Sequence, residues 1–516
     1  MSKLLSKTDY ILYRECPNNV WVKWNKPDEY NKYEISEFEK ALGVAGDEVE
    51  KLARGKFPDG ILIEGRDTRA QTRTRELIEQ KTPVIFQAVF ATSKYLAATD
   101  ILKWNTEAQA YDVYEIKMSS TEEETEDGKI VKNKKKELQF EHDLAFQVNV
   151  VEMCGIKLNK KFLVRLNKNY VRRGELDFDQ LFVEDDKTKI IEELQPQALL
   201  IMEEAFKYLS STTMPPGPCP CYYRGRSAHC TTFSFINPDV PPYSVHDLNR
   251  IGASKKYLEA LLDEGILSID DVPIDERLTN KKLNQVVAHR KQSAIINLET
   301  LKEELEQLTF PLYFIDYETY PTAIPPFSGY RPYQHIVFQY SLHVLKSKDA
   351  ELEHYECLVL EGDPAETIAK SLKEHIGDRG NLISWFKTFE NGRNKELGQM
   401  MPEHKMFFDS MINRTYDLMN IVENQHYVHP DFKGKSSIKK VLPVIKKLMN
   451  LPEDTLSYST LQVKNGTDAI EAYRQISKGE LTGTKAEEKK LQMLEYCKLD
   501  TYAMYILWKF FEDLIS

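Results

Sequence analysis

Two acids set two residues apart in an apolar run are the first chemistry this chain offers. Residues 310–320 read FPLYFIDYETY, a strand-like stretch in which alternation sends Asp316 and Glu318 to one face. Carboxylates aimed into one small apolar volume repel unless a proton or a divalent cation lies between them, so the pair predicts metal-dependent chemistry. Possible partners lie downstream. The segment LQMLEYCKLDTYAMYILWKFFEDLI has helical apolar spacing and sets Tyr496 and Asp500 at i and i+4, on one face. Between them, NLISWFKTFE reads as a second apolar strand ending in Phe389 and Glu390, a third acid position.

An acidic pair on a first strand, an acid after a later strand and a Tyr-x-x-x-Asp helix resemble the DEDDy exonucleases of the DnaQ-like, RNase H-like superfamily. The resemblance spans roughly residues 308–516 and rests on order and spacing together. It implies that Asp316, Glu318, Glu390 and Asp500 hold two metal ions, Mg2+ or Mn2+, and that Tyr496 orients the attacking water. Where the family carries Asp after an Asn-x-x-Phe run, this chain has Glu390 after Phe386, Lys387, Thr388 and Phe389.

The N-terminal half holds a second set of chemical groups. Asp100 closes one apolar stretch, and Glu115 and Lys117 alternate along the strand-like DVYEIKM, so acid and amine face the same way. Asp followed by Glu-x-Lys resembles the PD-(D/E)XK nuclease pattern, and the surrounding segments are similar to RecB-like nucleases, which include iron-sulphur nucleases associated with CRISPR. The helical pattern FEHDLAFQVNVVEMCGI puts Gln147 where these families carry a glutamine, and ALGVAGDEVEKLA sets Gly46 and Glu50 where they often carry Gly-x-x-x-His. By this resemblance Asp100, Glu115 and Glu50 hold a metal, while Lys117 positions or deprotonates water. A glutamate at position 50 is a competent ligand for magnesium or manganese.

Seven cysteines occur. Cys16 lies near the start, and Cys219, Cys221 and Cys230 cluster in PPGPCPCYYRGRSAHC. Clustered cysteines in a cytosolic chain favour metal over disulfides. One plus three thiolates flanking a nuclease core resemble the iron-sulphur staple of RecB-like enzymes, implying a [4Fe-4S] cluster, with zinc as the alternative. Cys154, Cys357 and Cys497 sit in apolar contexts and read as small buried core residues.

These groups need scaffolds. At 516 residues the chain is long enough for two to four domains. The expected class is α/β: a PD-(D/E)XK restriction-endonuclease-like core over 1–238, a helical connector over 239–307 with a faint helix-hairpin-helix character, and an RNase H-like mixed sheet flanked by helices over 308–516. Residues 120–136, STEEETEDGKIVKNKKK, read as a charged hairpin insertion. With 41% hydrophobic and 29% charged residues, no membrane-length apolar run and no signal-peptide core at residues 1–17, the expectation is a cytoplasmic protein without a membrane partner. A net charge of −11 neither marks nor excludes a nucleic-acid enzyme, since the basic runs at 132–136, 172–173 and 433–440 are local. A phosphate loop is missing from the sequence, so ATP is not an expected ligand.

The leading expectation is a bifunctional metal-dependent DNA nuclease acting in repair or defence against foreign DNA, on single strands or duplex ends, with a helicase or defence-system partner. Two alternatives stay open: an RNA 3′–5′ exonuclease, and a nucleic-acid-binding scaffold in which one or both sites have decayed.

Overall fold

The computed structural model describes residues 3–33, 37–118, 122–124, 130–452, 463 and 465–516. The chain is mixed α/β and divides into two compact units. The first comprises Met1–Tyr222, Ala228–Pro238 and Thr322–Gln334, and the second Tyr223–Ser227, Asp239–Pro321 and His335–Ser516. Among the described residues, no helix is long and apolar enough to cross a membrane.

The first unit is organised around a seven-stranded mixed sheet. Its strands are β1 (Leu5–Ser6), β2 (Ile61–Leu62), β3 (Val84–Ala91), β4 (Tyr95–Asn105) and β5 (Ala110–Lys117). A separate antiparallel pair, β6 (Glu122–Glu124) and β7 (Ile130–Lys132), follows, and β8 (Leu158–Leu166) and β9 (Phe182–Asp186) return to the sheet. The order is β2-β3-β4-β5-β8-β9, with β1 added to β4. The hairpin expected in the charged insertion is thus present as β6 and β7, while 119–121 and 125–129 lie outside the described residues.

One helix, Lys134–Met153, is buried continuously from Phe140 to Val151 although that stretch includes Glu141, His142, Asp143, Gln147 and Asn149. Buried polar groups need partners, and each of these has one. His142 Nδ1 pairs with the Tyr10 hydroxyl at 2.7 Å, Glu141 with Lys187 at 3.3 Å, and Asn149 donates to the Gln195 carbonyl at 3.1 Å. Asp143 and Gln147 reach the strand residues described below, so this helix faces both core and chemistry.

The second unit carries a short antiparallel pair, β10 (Ile295–Ile296) with β16 (Tyr427–Val428), and a five-stranded sheet. That sheet contains β11 (Leu312–Pro321), β12 (His335–Leu345), β13 (Leu352–Leu358), β14 (Asn381–Ser384) and β15 (Thr415–Asp417) in the order β13-β12-β11-β14-β15. Strands β12 and β13 are antiparallel to their predecessors, whereas β14 runs parallel to β11 and β15 parallel to β14. The parallel step needs a crossover, supplied by the helix Ala365–His375. Residues 239–307 contribute the helices Lys255–Asp263, Asn280–Lys291 and Leu298–Glu306 to this unit. The first ends at Gly265, whose φ of +76° allows its N–H to reach the Leu262 carbonyl and that of Ile266 to reach Leu261.

Two expectations about elements change. The apolar run before Glu390 is not one strand: β14 ends at Ser384, and Glu390 lies in the first turn of the helix Lys387–Met400. Of the three cysteines read as core, only Cys497 is buried. Cys154 is exposed at the end of its helix and Cys357 is half-buried on the edge strand β13.

Candidate functional site

Among the described residues, the expected site residues fall into three groups, two in the first unit and one in the second.

The first lies where β4 and β5 meet the helix Lys134–Met153. Asp100 on β4 accepts the Ile116 N–H at 2.8 Å, and Glu115 on β5 is 1% exposed. Gln147 donates to Glu115 Oε2 at 2.5 Å. The other carboxylate oxygen, Oε1, accepts from Lys117 at 2.7 Å and from Lys7 at 2.6 Å. Lys117 also pairs with Asp143. Glu50, on the helix Glu37–Ala53, is held by Arg54 and by Gln87 Nε2 at 2.7 Å, and Gln87 also reaches Asp100 at 3.2 Å. An open cleft of about 570 Å³ is lined by Lys7, Gly46, Glu50, Gln87, Asp100, Glu115 and Lys117 among others. Glu50, Asp100, Glu115 and Lys117 thus line one cleft, and Gln147 meets Glu115 from the helix that also carries Asp143.

Lys7, Gln87 and Asp143 were not expected. Lys7 sits 108 residues from Glu115 in sequence, placed there by a helix that Ser6 caps through the Asp9 N–H at 3.2 Å. Gln87 has φ of +53° in the middle of a strand, a conformation that costs a non-glycine residue energy and clusters at functional sites. Burial, aided by Glu115, pushes the Asp100 carboxyl up to about 8. Burial would raise Glu115 too, but Lys117 and Lys7 outweigh it and hold that carboxyl well below the usual range. Burial pulls the Lys7 ammonium down, yet Glu115, Asp143 and Asp100 keep it above its ordinary value. Gln147 Oε1 remains buried without a hydrogen-bond partner.

The second group is Cys16, Cys219, Cys221 and Cys230, whose sulfurs all lie within 4.8 Å of one another. All four are free thiols, three of them buried. Local structure explains the convergence. Cys16 is extended, with φ of −158°, at the break between the helices Lys7–Glu15 and Pro17–Asn25. Three residues on, Asn19 Oδ1 accepts from the backbone N–H and hydroxyl of Thr232 at 3.1 and 2.8 Å, tying this corner to the Cys230 segment. Asn237 Nδ2 donates to Cys219 Sγ at 3.5 Å. Hydrogen bonds shared among the sulfurs pull the Cys219 and Cys221 thiols down and push Cys16 and Cys230 up. Such a group can hold a metal.

The third group is centred on β11, flanked by β12 and β14. Asp316 and Glu318 share a face, and a register shift after Glu318 re-aims the strand there. The helix Thr484–Ile515 brings Tyr496, Cys497 and Asp500. Thr501 anchors it, its hydroxyl meeting Ser341 Oγ and His343 Nδ1 on β12, each at 2.8 Å. Glu390 is 4% exposed. Its helix starts where it does because Asp417, ending β15, accepts the N–H groups of Phe386 and Lys387 at 2.9 and 3.0 Å, with Phe386 at φ of +80°.

Burial, then Asp500, Glu318 and Glu390, raises the Asp316 carboxyl well above its ordinary value. Burial, then Asp500, pushes Glu318 up to about 8 against the pull of Lys439. Glu390 is likewise pushed up to about 8, chiefly by burial. Two like charges at 4–5 Å repel by roughly 3–4 kcal/mol at an effective dielectric near 20, so these acids need protons or a cation at neutral pH. Glu390 Oε2 is buried without a hydrogen-bond partner.

A pH dependence follows for protein freed of divalent cations. Glu318 and Glu390 titrate near 4.5 when unfolded and near 8 when folded. Between those values the unfolded chain has lost protons that the folded chain retains, so stability falls as pH rises. Denaturant titrations from pH 5 to 8 are expected to show that fall for the second unit, with Mn2+ restoring stability at pH 8. A stability that rises over this window and is indifferent to Mn2+ would contradict it.

Comparison with known proteins gives similarity without a described activity. A family model described as a domain of unknown function (DUF2779) matches residues 313–437, which include Asp316, Glu318 and Glu390. An uncharacterised protein of Mycoplasma pneumoniae is 27% identical over 214 residues, 39% of this chain and 32% of the relative. One from Ureaplasma parvum is 27% identical over 303 residues, 55% of this chain and 42% of the relative. The chain therefore spans about a third to two fifths of the length of the curated relatives it matches.

Proposed function

We propose that the chain is a metal-dependent nuclease that hydrolyses DNA phosphodiesters, with a DEDDy-type centre in the second unit and a PD-(D/E)XK-type centre in the first. The single observation that carries this proposal is the pairing of Asp316 and Glu318, whose donor atoms come within 4.8 Å of each other, in a mostly buried site where Asp500 and Glu390 raise the proton affinity of both. The strand order β13-β12-β11-β14-β15, antiparallel then parallel, supports an RNase H-like sheet. In the first unit, acids on two adjacent strands with a glutamine bonded to one of them support the RecB-like reading.

Bound Mg2+ or Mn2+ would supply a more acidic water and take up charge developing on the phosphate. Asp316, Glu318, Glu390 and Asp500 would hold it in one centre, and Glu50, Asp100 and Glu115 in the other. The orphaned oxygens of Glu390 and Gln147 fit such polar occupants. By the same resemblance Tyr496 would orient water by its phenol, and Lys117 would accept or steer a proton at the N-terminal centre. Lys439, whose ammonium lies 5.8 Å from the Tyr496 ring centroid and pulls on Glu318, offers a positive charge to a phosphate.

For the four cysteines we propose a metal–thiolate staple. A [4Fe-4S] cluster is the occupant the family resemblance implies. Zinc at Zn–S of about 2.3 Å would set sulfurs ~3.8 Å apart, which the present spacing accommodates without opening. Repair or defence against foreign DNA, with a helicase delivering the strand, fits these activities.

A second reading is favoured at the N-terminal centre alone. Both lysines sit on Glu115 Oε1, and Arg54 and Gln87 occupy Glu50, so this site is internally neutralised and can serve as a binding scaffold.

Matched end-labelled DNA and RNA strands decide the main proposal. With Mn2+, DNA is expected to shorten from its 3′ end, and Glu115→Gln is expected to remove any cleavage that survives Asp316→Asn. Cleavage of RNA alone would overturn the DNA assignment. Loss of all cleavage in Asp316→Asn alone would assign the first unit to binding.

A further inference from the structure

We infer that Cys497 is a ligand of the carboxylate centre and turns it toward a thiophilic divalent cation, zinc or manganese ahead of magnesium. The inference rests on the metal-centre reading of the second unit and adds what that centre selects. Cys497 is fully buried, yet its sulfur does not sit among hydrocarbon alone. Its Sγ lies 3.7 Å from Asp316 Oδ2 and 3.8 Å from the Asp316 carbonyl. Asp316, Glu318 and Cys497 can each bring a donor atom within 4.8 Å of the others, a spacing one cation spans.

A core cysteine would be expected among apolar atoms, not against the carboxylate of Asp316. A separate observation concerns a third acid of the same centre. Glu390, 4% exposed, acts on both Asp316 and Glu318 and keeps one oxygen without a hydrogen-bond partner.

The chemistry follows from the donor set. Carboxylates alone suit hard Mg2+, which prefers oxygen ligands and near-ideal octahedral geometry. A thiolate beside them adds a soft donor, which favours zinc most and magnesium least, with manganese between them. Binding replaces the thiol proton, released to solvent, by the metal. Position 497 also follows Tyr496 directly, so the helical turn that would present the water-orienting phenol also presents a sulfur.

Full-length protein with its four-cysteine centre filled, cleared of other divalent ions, is titrated with Co2+ and followed in the near ultraviolet. The cobalt-dependent thiolate charge-transfer band is expected in the wild type and absent from Cys497→Ser, while absorption from the four-cysteine centre is unchanged. Mn2+ binding, read by electron paramagnetic resonance with Mg2+ in competition, is expected to lose about tenfold or more of its preference over Mg2+ in the same variant. Asp316→Asn, which keeps every cysteine, is expected to abolish the band as well and so tests the inference even if Cys497→Ser does not fold. If Cys497→Ser leaves the band and the preference unchanged while Asp316→Asn abolishes Mn2+ binding, Cys497 is a core residue and the inference fails with the metal centre intact. If neither substitution changes metal binding, the metal-centre reading fails and takes the inference with it.

Discussion

Asp316→Asn is expected to cut metal-dependent hydrolysis by the C-terminal centre on the order of 10³-fold and, in metal-free protein, to raise thermal stability. The activity loss follows from magnitudes: charge stabilisation by catalytic metals is worth several kcal/mol, and each ~1.36 kcal/mol is tenfold in rate. The stability gain follows from the same residue. Burial and then Asp500 and Glu318 oppose ionisation of the Asp316 carboxyl, so an isosteric neutral amide removes a penalty when no cation is present. Opposite signs separate a catalytic acid from a structural one. The measurement is digestion of a labelled single strand in a Glu115→Gln background, paired with melting in buffer free of divalent ions. A variant that loses activity and also melts earlier would make Asp316 a fold residue.

The second large effect is expected at the cysteines. Cys221→Ser should release the bound metal and strip protection from the corner that holds Cys16 and the 219–237 segment. Structural tetrathiolate sites contribute about 10–16 kcal/mol of apparent binding energy in small zinc domains, comparable with the ~5–15 kcal/mol that keeps a whole domain folded. Hydrogen exchange with mass spectrometry is expected to show faster exchange in peptides covering 7–25 and 219–237. Peptides from β11 and β12 should be unchanged. Metal analysis of anaerobically purified wild type names the occupant, brown with iron and sulfide for a cluster, colourless with one zinc otherwise. Unchanged exchange and a metal-free wild type would remove the staple.

The parts of these sites that share a strand or a helix face were legible in the sequence. Asp316 with Glu318 needs only the two-residue period, and Tyr496 with Asp500 only the helical one. The apolar pattern puts Glu390 on a strand because Trp385 and Phe386 extend it beyond β14. The helix is started instead by Asp417, about thirty residues later, whose carboxylate captures two N–H groups. Lys7 was invisible for the same reason at longer range, since no local period links it to Glu115. The apolar helix makes Cys497 a core residue, and it is buried, but its sulfur lies against Asp316. Helical spacing held the missed signal: Cys497 and Asp500 are three residues apart, so they share a face of the helix.

The most direct test is a 5′-labelled DNA strand incubated with the full chain in Mn2+, beside the same reaction with chelator and with the Glu115→Gln, Asp316→Asn double variant. A ladder shortening from the 3′ end in Mn2+ alone, absent from both controls, is the result expected. An undegraded strand with Mn2+ demonstrably bound to the wild type, or a ladder that persists in the double variant, would contradict a nuclease built on these carboxylates.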